Sequence, residues 1–315
     1  MTIHRLTLGI DVSGAHFDAF AHPMNQARRL TNTPAGVKAL VGWARELGAF
    51  VVLEATAPWD QALVRALEAN GASFHRANPK RARDFARAAG LLAKTDAVDA
   101  RMLALYGASL SLRPTEPIAP GRLELQGLVV RRDQLVEMRK AERVRLKTVL
   151  DDVVIDSLKA VVAMLDDQIK ALEQRIGRTV EAHADLARDA AVMRQVPGVG
   201  PVAASVLLAA MPELGRLDRR AVASLAGLAP IARDSGLMRG RRCVQGGRKR
   251  VRDALYMAAL AAVRTGPWKT AFLDMKSAGK PPKLALIAIA RKLLVALNAA
   301  IRDGEYRQTN PILDT

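Results

Sequence analysis

Four carboxylates stand where a phosphate-cleaving centre would need them. Asp11 ends an alternating run through Leu6, Leu8 and Ile10, and Glu54 follows the apolar run Phe50, Val51, Val52 and Leu53. Each is therefore expected at the C-terminal end of a strand. Asp96 and Asp99 lie three apart at the start of a helix predicted to open at Thr95, so they share one of its faces. Neighbouring strands of a mixed sheet would bring Asp11 and Glu54 to one edge. Four converging carboxylates repel one another unless cations neutralise them, and hard oxygen ligands suit Mg2+ or Mn2+, which keep positions open for phosphate oxygens. Two such ions about 4 Å apart stabilise the attacking and leaving oxygens of phosphoryl transfer. The same acids also have structural uses: Asp11 can cap the Ser13-Gly14 turn, and acids in a first helical turn oppose the helix dipole. Glu54 fits that alternative less well, because an acid placed directly after a buried strand is costly without a partner.

The basic residues point to phosphate polymers. Lys and Arg number 48 against 31 Asp and Glu, a surplus of +17 with a sequence pI near 10.7. Such a field attracts nucleic acid or anionic membrane and disfavours acidic partners. The bases fall into three groups. Arg76, Lys80, Arg81, Arg83 and Arg87 surround one predicted helix, with Lys94 just before the paired acids. Arg131, Arg132, Arg139, Lys140, Arg143, Arg145 and Lys147 line long helices, where a solvated face is the competing explanation. Arg239, Arg241, Arg242, Arg248, Lys249, Arg250 and Arg252 follow Ser235 with no acid among them. Arginine suits bidentate phosphate contacts, and Gly246-Gly247 lets backbone approach a phosphate closely. The glycines of Val196-Pro-Gly198-Val-Gly200-Pro, at the entry to a small-residue helix, make a helix-hairpin-helix-like element able to offer N–H groups to a phosphate. Aromatics are only 4% of the chain, so duplex-backbone contact is favoured over extensive base stacking.

Elements that must position these residues follow from the pattern. Strands are expected over 5–12, 16–22, 26–31, 50–53 and 73–77, and helices from Pro34 to Leu47, Pro58 to Leu67, Pro79 to Ala89 and Thr95 to Ser109. This half, residues 1–112, reads as α/β. Three prolines between Arg113 and Pro120 mark a linker. From Leu123 to about His183 the chain lacks proline and predicts a long helical, coiled-coil-like arm, an antiparallel pair turning near Asp151 to Leu158, too irregular for a sustained coiled coil. Residues 113–190 form this linker and arm. Residues 191–315 read as mostly helical, with a turn-rich stretch from Gly227 to Gly247 and helices over Arg252 to Arg264 and Leu284 to Ile301.

Cys243 is the only cysteine, which excludes an internal disulfide and argues against a thiolate zinc site. The apolar stretches are short or interrupted by Arg291 and Lys292, against the about 20 apolar residues a membrane span needs. The first residues carry no signal-peptide pattern. A reduced, soluble, intracellular protein is expected.

The element order resembles the ribonuclease-H-like fold of RuvC-type nucleases. More specifically, Leu8-Gly-Ile-Asp11-Val, Glu54-Ala-Thr, Asn78-Pro79 and Lys94-Thr-Asp96-Ala-Val-Asp99-Ala are similar to the N-terminal domain of the DEDD transposases of bacterial insertion sequences, the IS-one-ten family, relatives of pilin-gene invertases. Val196-Pro-Gly198-Val-Gly200-Pro, Gly227-Leu-Ala-Pro230, Asp234-Ser235-Gly236, Gly246-Gly247-Arg248 and Arg252 to Ala259 resemble its C-terminal domain in the same order. The chain departs from the family where a Thr-Gly pair commonly follows the glutamate; here the residues are Thr56-Ala57-Pro58-Trp59.

The resemblance implies that Asp11, Glu54, Asp96 and Asp99 are the metal ligands, binding two Mg2+ or Mn2+ ions, and that Ser235 is a nucleophile attacking a DNA phosphate. It also implies a noncoding bridge RNA as guide, donor and target DNA as substrates, assembly of copies from dimer to tetramer, and a bacterial cytoplasmic, nucleoid-associated setting. A serine hydroxyl is a weak nucleophile that needs a base or metal, and no histidine lies nearer in sequence than His183, so activation falls to the metals or Asp234. A Ser-Gly pair is also an ordinary turn. Two other functions remain open at this level. One is a hydrolytic RuvC-like junction nuclease, for which Ser235 is dispensable; the other is a non-enzymatic basic nucleic-acid-binding protein.

Overall fold

Alternation of period two builds the first sheet. The computed structural model describes residues 6–91, 96–231, 234–235, 238–239 and 243–307, with backbone alone at 96–97, 234–235 and 238–239. The chain divides into two compact units, Met1–Pro117 and Ile118–Thr315.

In the first unit β1 (Thr7–Val12), β2 (His16–His22) and β3 (Gln26–Thr31) form an antiparallel meander. Helix α1 (Pro34–Leu47) then leads to β4 (Phe50–Glu54), which pairs parallel with β1. Helix α2 (Gln61–Ala69) crosses to β5 (Phe74–Ala77), parallel to β4. Helices α3 (Pro79–Ala88) and α4 (Asp96–Ser109) complete the unit, and the strand order is β3-β2-β1-β4-β5. Both faces are covered. Leu8, Ile10, Val12, Val51 and Leu53 pack on one side with Leu40 and Trp43 of α1 and Leu63 and Leu67 of α2. Phe50 and Val52 face the other way, against Ala82, Met102, Leu103 and Tyr106 of α3 and α4. Local sequence fixes the helix starts: the Thr33 hydroxyl accepts from Gly36 N–H and Pro34 occupies the first turn, while the Asn78 carbonyl oxygen of the side chain accepts from Lys80 and Arg81 N–H before Pro79-led α3.

The second unit begins with α5 (Pro120–Arg145) and α6 (Asp152–Ala182), antiparallel helices whose pairing is set by Leu135 against Leu165 and Ile169 and by ion pairs Arg132–Glu173 and Arg139–Asp166. Helices α7 (Ala184–Arg194), α8 (Pro201–Ala210) and α9 (Arg219–Ala226) follow. Two small ribbons come next: β6 (Pro230–Ile231) pairs with β9 (Cys243–Val244), and between them β7 (Asp234–Ser235) pairs with β8 (Met238–Arg239). Helices α10 (Lys249–Ala262), α11 (Gly266–Ser277) and α12 (Pro282–Asp303) close the chain. Helix α12 is long and apolar enough to cross a membrane, yet Ile289, Leu293, Leu294 and Leu297 sit in the core with Leu207 of α8 and Leu255 of α10. Its apolarity is that of a central core helix.

Four expectations need correction. Helix α2 starts at Gln61, because Ala57–Asp60 is a turn rather than the Pro58-led first helical turn. The arm reverses over 146–151, with Asp151 capping α6 through Val154 N–H, rather than at 151–158. Helices α7, α9 and α11 were not foreseen, and α10 begins at Lys249 rather than Arg252.

Candidate active site

Side-chain alternation along β1 assigns Leu8, Ile10 and Val12 to the α1 side and Thr7, Gly9 and Asp11 to the α4 side. The Thr7 hydroxyl donates to the Ala104 carbonyl at 2.8 Å. A Cβ on Gly9 would stand 2.1 Å from the Ala100 carbonyl oxygen and 2.3 Å from the Ala104 nitrogen, so only glycine lets α4 lie this low on the strand. Two strand residues, Gly9 to Thr7, thus match about one turn of α4 running the opposite way. Two residues rise about 6.6 Å in a strand and four rise about 6 Å in a helix, so the same step from Gly9 in the other direction carries β1 to Asp11 and α4 back to its first turn, Asp96–Asp99.

Glu54 comes to the same place. Ile10 pairs with Leu53 in parallel register, which makes Asp11 and Glu54 the next residues of adjacent strands. Phe50 and Val52 place Glu54 by alternation on the α4 face. Asp11, Glu54 and Asp99 are all partly exposed. The carboxyl edge of parallel strands is a usual ligand-binding crevice, and the α4 N-terminus adds positive dipole to an acidic site. The side chain of Asp96 lies outside the described residues. Among those described, no three His, Cys, Asp or Glu side chains already form a cation cage. The donor set nevertheless fits a hard divalent cation, being carboxylate throughout.

A fifth acid escaped the sequence reading. Asp18 pairs with Asp11 across the antiparallel ladder, on the same face, and its side chain is 13% exposed with Arg29 at 3.7 Å. Its signal is an acid at an alternating position in the strand that follows the one carrying Asp11.

Two loops leave β1 and β4 just beyond Asp11 and Glu54, and one side chain ties them together. Asn32 Nδ2 donates to the Ser13 carbonyl at 2.8 Å and to the Trp59 carbonyl at 3.2 Å, joining the β1–β2 turn to the loop after Glu54. That loop is also pinned below by Asp60, which is fully buried and accepts from Arg76 Nε at 2.6 Å. Among the described residues the second Asp60 oxygen has no partner. Arg76→Ala would strand this carboxylate, and removing one member of a buried pair costs about 3 kcal/mol. Urea unfolding should show that loss; an unchanged midpoint with unchanged slope would refute the assigned role.

In the second unit Ser235 sits on a two-stranded ribbon, with Ser235 opposite Met238 and Asp234 opposite Arg239. The side chains of Asp234, Ser235 and Arg239 lie outside the described residues, as do Lys94, Arg241 and Arg242 altogether. Several candidate nucleic-acid contacts have internal duties. Arg248 makes paired 2.6 Å bonds to Glu213 and a 2.9 Å bond to the Ala210 carbonyl. Burial raises the Glu213 pKa, but those two bonds outweigh it and hold the carboxyl below its usual range. Gln126 and Arg122 donate to the carbonyls of Ala209 and Leu208, so the end of α8 is capped by side chains from α5 and from Arg248. Arg250 pairs with Asp133 at 2.7 Å, Lys249 with Asp253, and Arg252 donates to the Gly246 carbonyl. On the arm, Arg132, Arg139 and Lys140 pair with Glu173, Asp166 and Glu137, and Arg131 donates to Gln134. Arg81, Arg83 and Arg87 form an exposed face of α3. Gly198, at φ 87°, lies so close to α10 that a Cβ would reach 2.4 Å from the Ala258 carbonyl oxygen. Gly200 instead precedes α8 with open space around it and no side-chain cap.

An acid-edged α/β unit followed by a basic helical unit is the organisation of a DEDD-class DNA transposase or recombinase, an enzyme whose class depends on a divalent cation. Residues 8–155 match a DEDD transposase model of the IS110 type, and residues 190–274 match the model described as Transposase IS116/IS110/IS902 family. The chain belongs to the IS110 family of transposases. It is similar to the pilin gene-inverting protein of Moraxella bovis, 28% identical over 316 residues that cover 94% of this chain and 96% of that protein. The Moraxella lacunata protein of the same name is 27% identical with the same coverage. An uncharacterized 43.6 kDa protein of insertion element IS110 from Streptomyces coelicolor is 32% identical over 161 residues, covering 50% of this chain and 39% of that protein.

Proposed function

We propose that the chain is an RNA-guided recombinase that cuts and rejoins DNA through a serine nucleophile. The reading rests on one observation above others: Asp11, the penultimate residue of β1, and Glu54, the last of β4, stand side by side, with the first turn of α4 matched to that edge. Asp11, Glu54, Asp96 and Asp99 would hold Mg2+ or Mn2+, which when bound supplies charge stabilisation to a scissile phosphate. Ser235 Oγ then attacks the phosphorus, forming a phosphoserine ester as a DNA hydroxyl leaves. The serine proton passes to a carboxylate, with Asp234 the nearest in sequence, and from it to the departing DNA oxygen; a hydroxyl of the exchanged strand then attacks the phosphoserine, its proton returning by the same route to Ser235 Oγ as that ester bond breaks. Functional division into 1–112, 113–190 and 191–315 follows from this scheme, with cutting acids, arm and nucleophile in successive segments. Because Ser235 and the acids belong to different units, a dimer or tetramer that completes each site from two copies is part of the proposal. Support for nucleic-acid binding comes from the exposed bases of α3 and from the open N-terminus of α8 at Gly200.

RNA guidance is tested by adding RNA transcribed from the element's own noncoding flank to purified protein with donor and target DNA. Joined product should appear with that RNA and shift target when its pairing segment is rewritten. Equal joining without RNA would remove guidance from the mechanism while leaving the cutting site intact.

A further inference from the structure

We propose that Trp59 is a stacking platform for one DNA base beside the scissile phosphate, an inference that rests on reading Asp11 and Glu54 as the cutting edge. Three tryptophans occur in the chain. Trp43 and Trp268 are 2% and 1% exposed, as a large apolar ring should be, whereas Trp59 is 51% exposed. Leaving half an indole in water forgoes apolar burial unless another surface covers it.

The ring's posture suggests what that surface is. Three carbons of the six-membered ring, Cε2, Cζ2 and Cδ2, stand 3.5, 3.5 and 3.6 Å from where a Cβ on Gly14 would be. Near-equal distances mean that the turn meets the ring face-on. One face of the indole is thus seated on Gly14, and half-exposure corresponds to the opposite face being open. Asn32, bonded to both the Ser13 and Trp59 carbonyls, keeps ring and turn together, and the buried Asp60–Arg76 pair anchors the next residue. A ring held flat on one side and bare on the other is a preformed shelf for a second flat group.

Its location selects a nucleobase. Gly14 is three residues beyond Asp11 and Trp59 is five beyond Glu54, so the shelf lies at the sheet edge where the acids end, within about 10 Å of chain from Asp11. Glu54 pairs with Ala77, and α3 starts two residues later, so exposed Arg81 stands at that same edge as a phosphate partner, beside Lys80, which pairs with Asp84 at 2.8 Å. Acids to cut, bases to neutralise and one bare aromatic face describe a site that unstacks a base while its phosphate reacts. Stacking is sequence-tolerant, since every base has a π-face, and this suits an enzyme whose targets vary.

The test uses full-length protein, the element's end DNA and its flanking RNA, with single thymines of the DNA replaced by 5-iodouracil, which crosslinks under light to a stacked aromatic ring. One position within about two nucleotides of the cut should crosslink to Trp59. Trp59→Ala should lose that crosslink and slow cutting by about 5- to 150-fold, the range for losing one base–aromatic stack. Trp59→Phe should restore most of the rate, while Trp59→Leu, which fills space but cannot stack, should not. Equal rescue by Leu, a crosslink to the RNA instead of the DNA, or normal cutting by Trp59→Ala would each overturn the shelf. Failure of the unaltered protein to cut, or undiminished cutting after Asp11→Asn, would instead defeat the reading of the acids.

Discussion

Asp11→Asn should cut DNA at least about 1,000-fold more slowly than the unaltered protein, a loss of about 4 kcal/mol in transition-state stabilisation. Asparagine keeps the shape and removes the charge, so what is lost is the ability to hold a cation at the junction of β1 and α4. The structure also predicts what should not change. Asp11 is partly exposed at the strand end and lies opposite Asp18, so neutralising it relieves repulsion between neighbouring acids. The melting temperature of the cation-free protein should therefore change far less than the cutting rate, and the stabilisation gained on adding Mg2+ should fall. Binding to DNA, carried by bases elsewhere, should persist with its steep salt dependence. A variant that is less stable and still cuts would sink the assignment of Asp11 as a ligand.

The second large effect is chemical rather than electrostatic. Ser235→Ala should abolish the covalent protein–DNA species that denaturing gels reveal, and with it strand joining, while DNA binding and cation-induced stabilisation remain. Serine proteins that react with phosphate esters need their nucleophile activated, so Ser235→Cys should trap at a different rate rather than match serine. Persistence of the adduct in Ser235→Ala would place the nucleophile elsewhere. Loss of the adduct with cutting retained would favour the hydrolytic nuclease, in which water attacks directly. The two substitutions separate the roles: Asp11→Asn disables cutting through the acids, and Ser235→Ala disables it through the attacking atom.

The reading from sequence succeeded where local chemistry decides. Strands β2 and β3 and helix α1 match expectation to the residue because alternation, Pro34 and the Gly48 stop are local signals. The acids at strand ends followed from the same periodicity. Pro58 misled, since a proline suited to a helix start also suits a turn, and the buried Asp60–Arg76 pair that settles the matter spans 16 residues. The arm's turn was misplaced because 146–151 contains neither proline nor glycine, and its end is set by the Asp151 cap. The short helices α7, α9 and α11 draw their stability from packing, which no window of sequence displays. Asp18 was invisible for a related reason: a lone acid in an alternating strand looks solvated until the register puts it across from Asp11. Likewise Arg248 and Arg250 looked like free phosphate ligands in a run without acids, because Glu213 and Asp133 are distant in the chain.

The base of the arm gives the protein a mechanical property. Helix α5 has 26 residues, about 39 Å of rod, and its first turns are buried by Leu125 and Val129 while Arg122 and Gln126 grip the last carbonyls of α8. A rod fastened over that length is a cantilever rather than a hinged boom. A load at the tip should bend it or pull on α8, whose last carbonyls it holds.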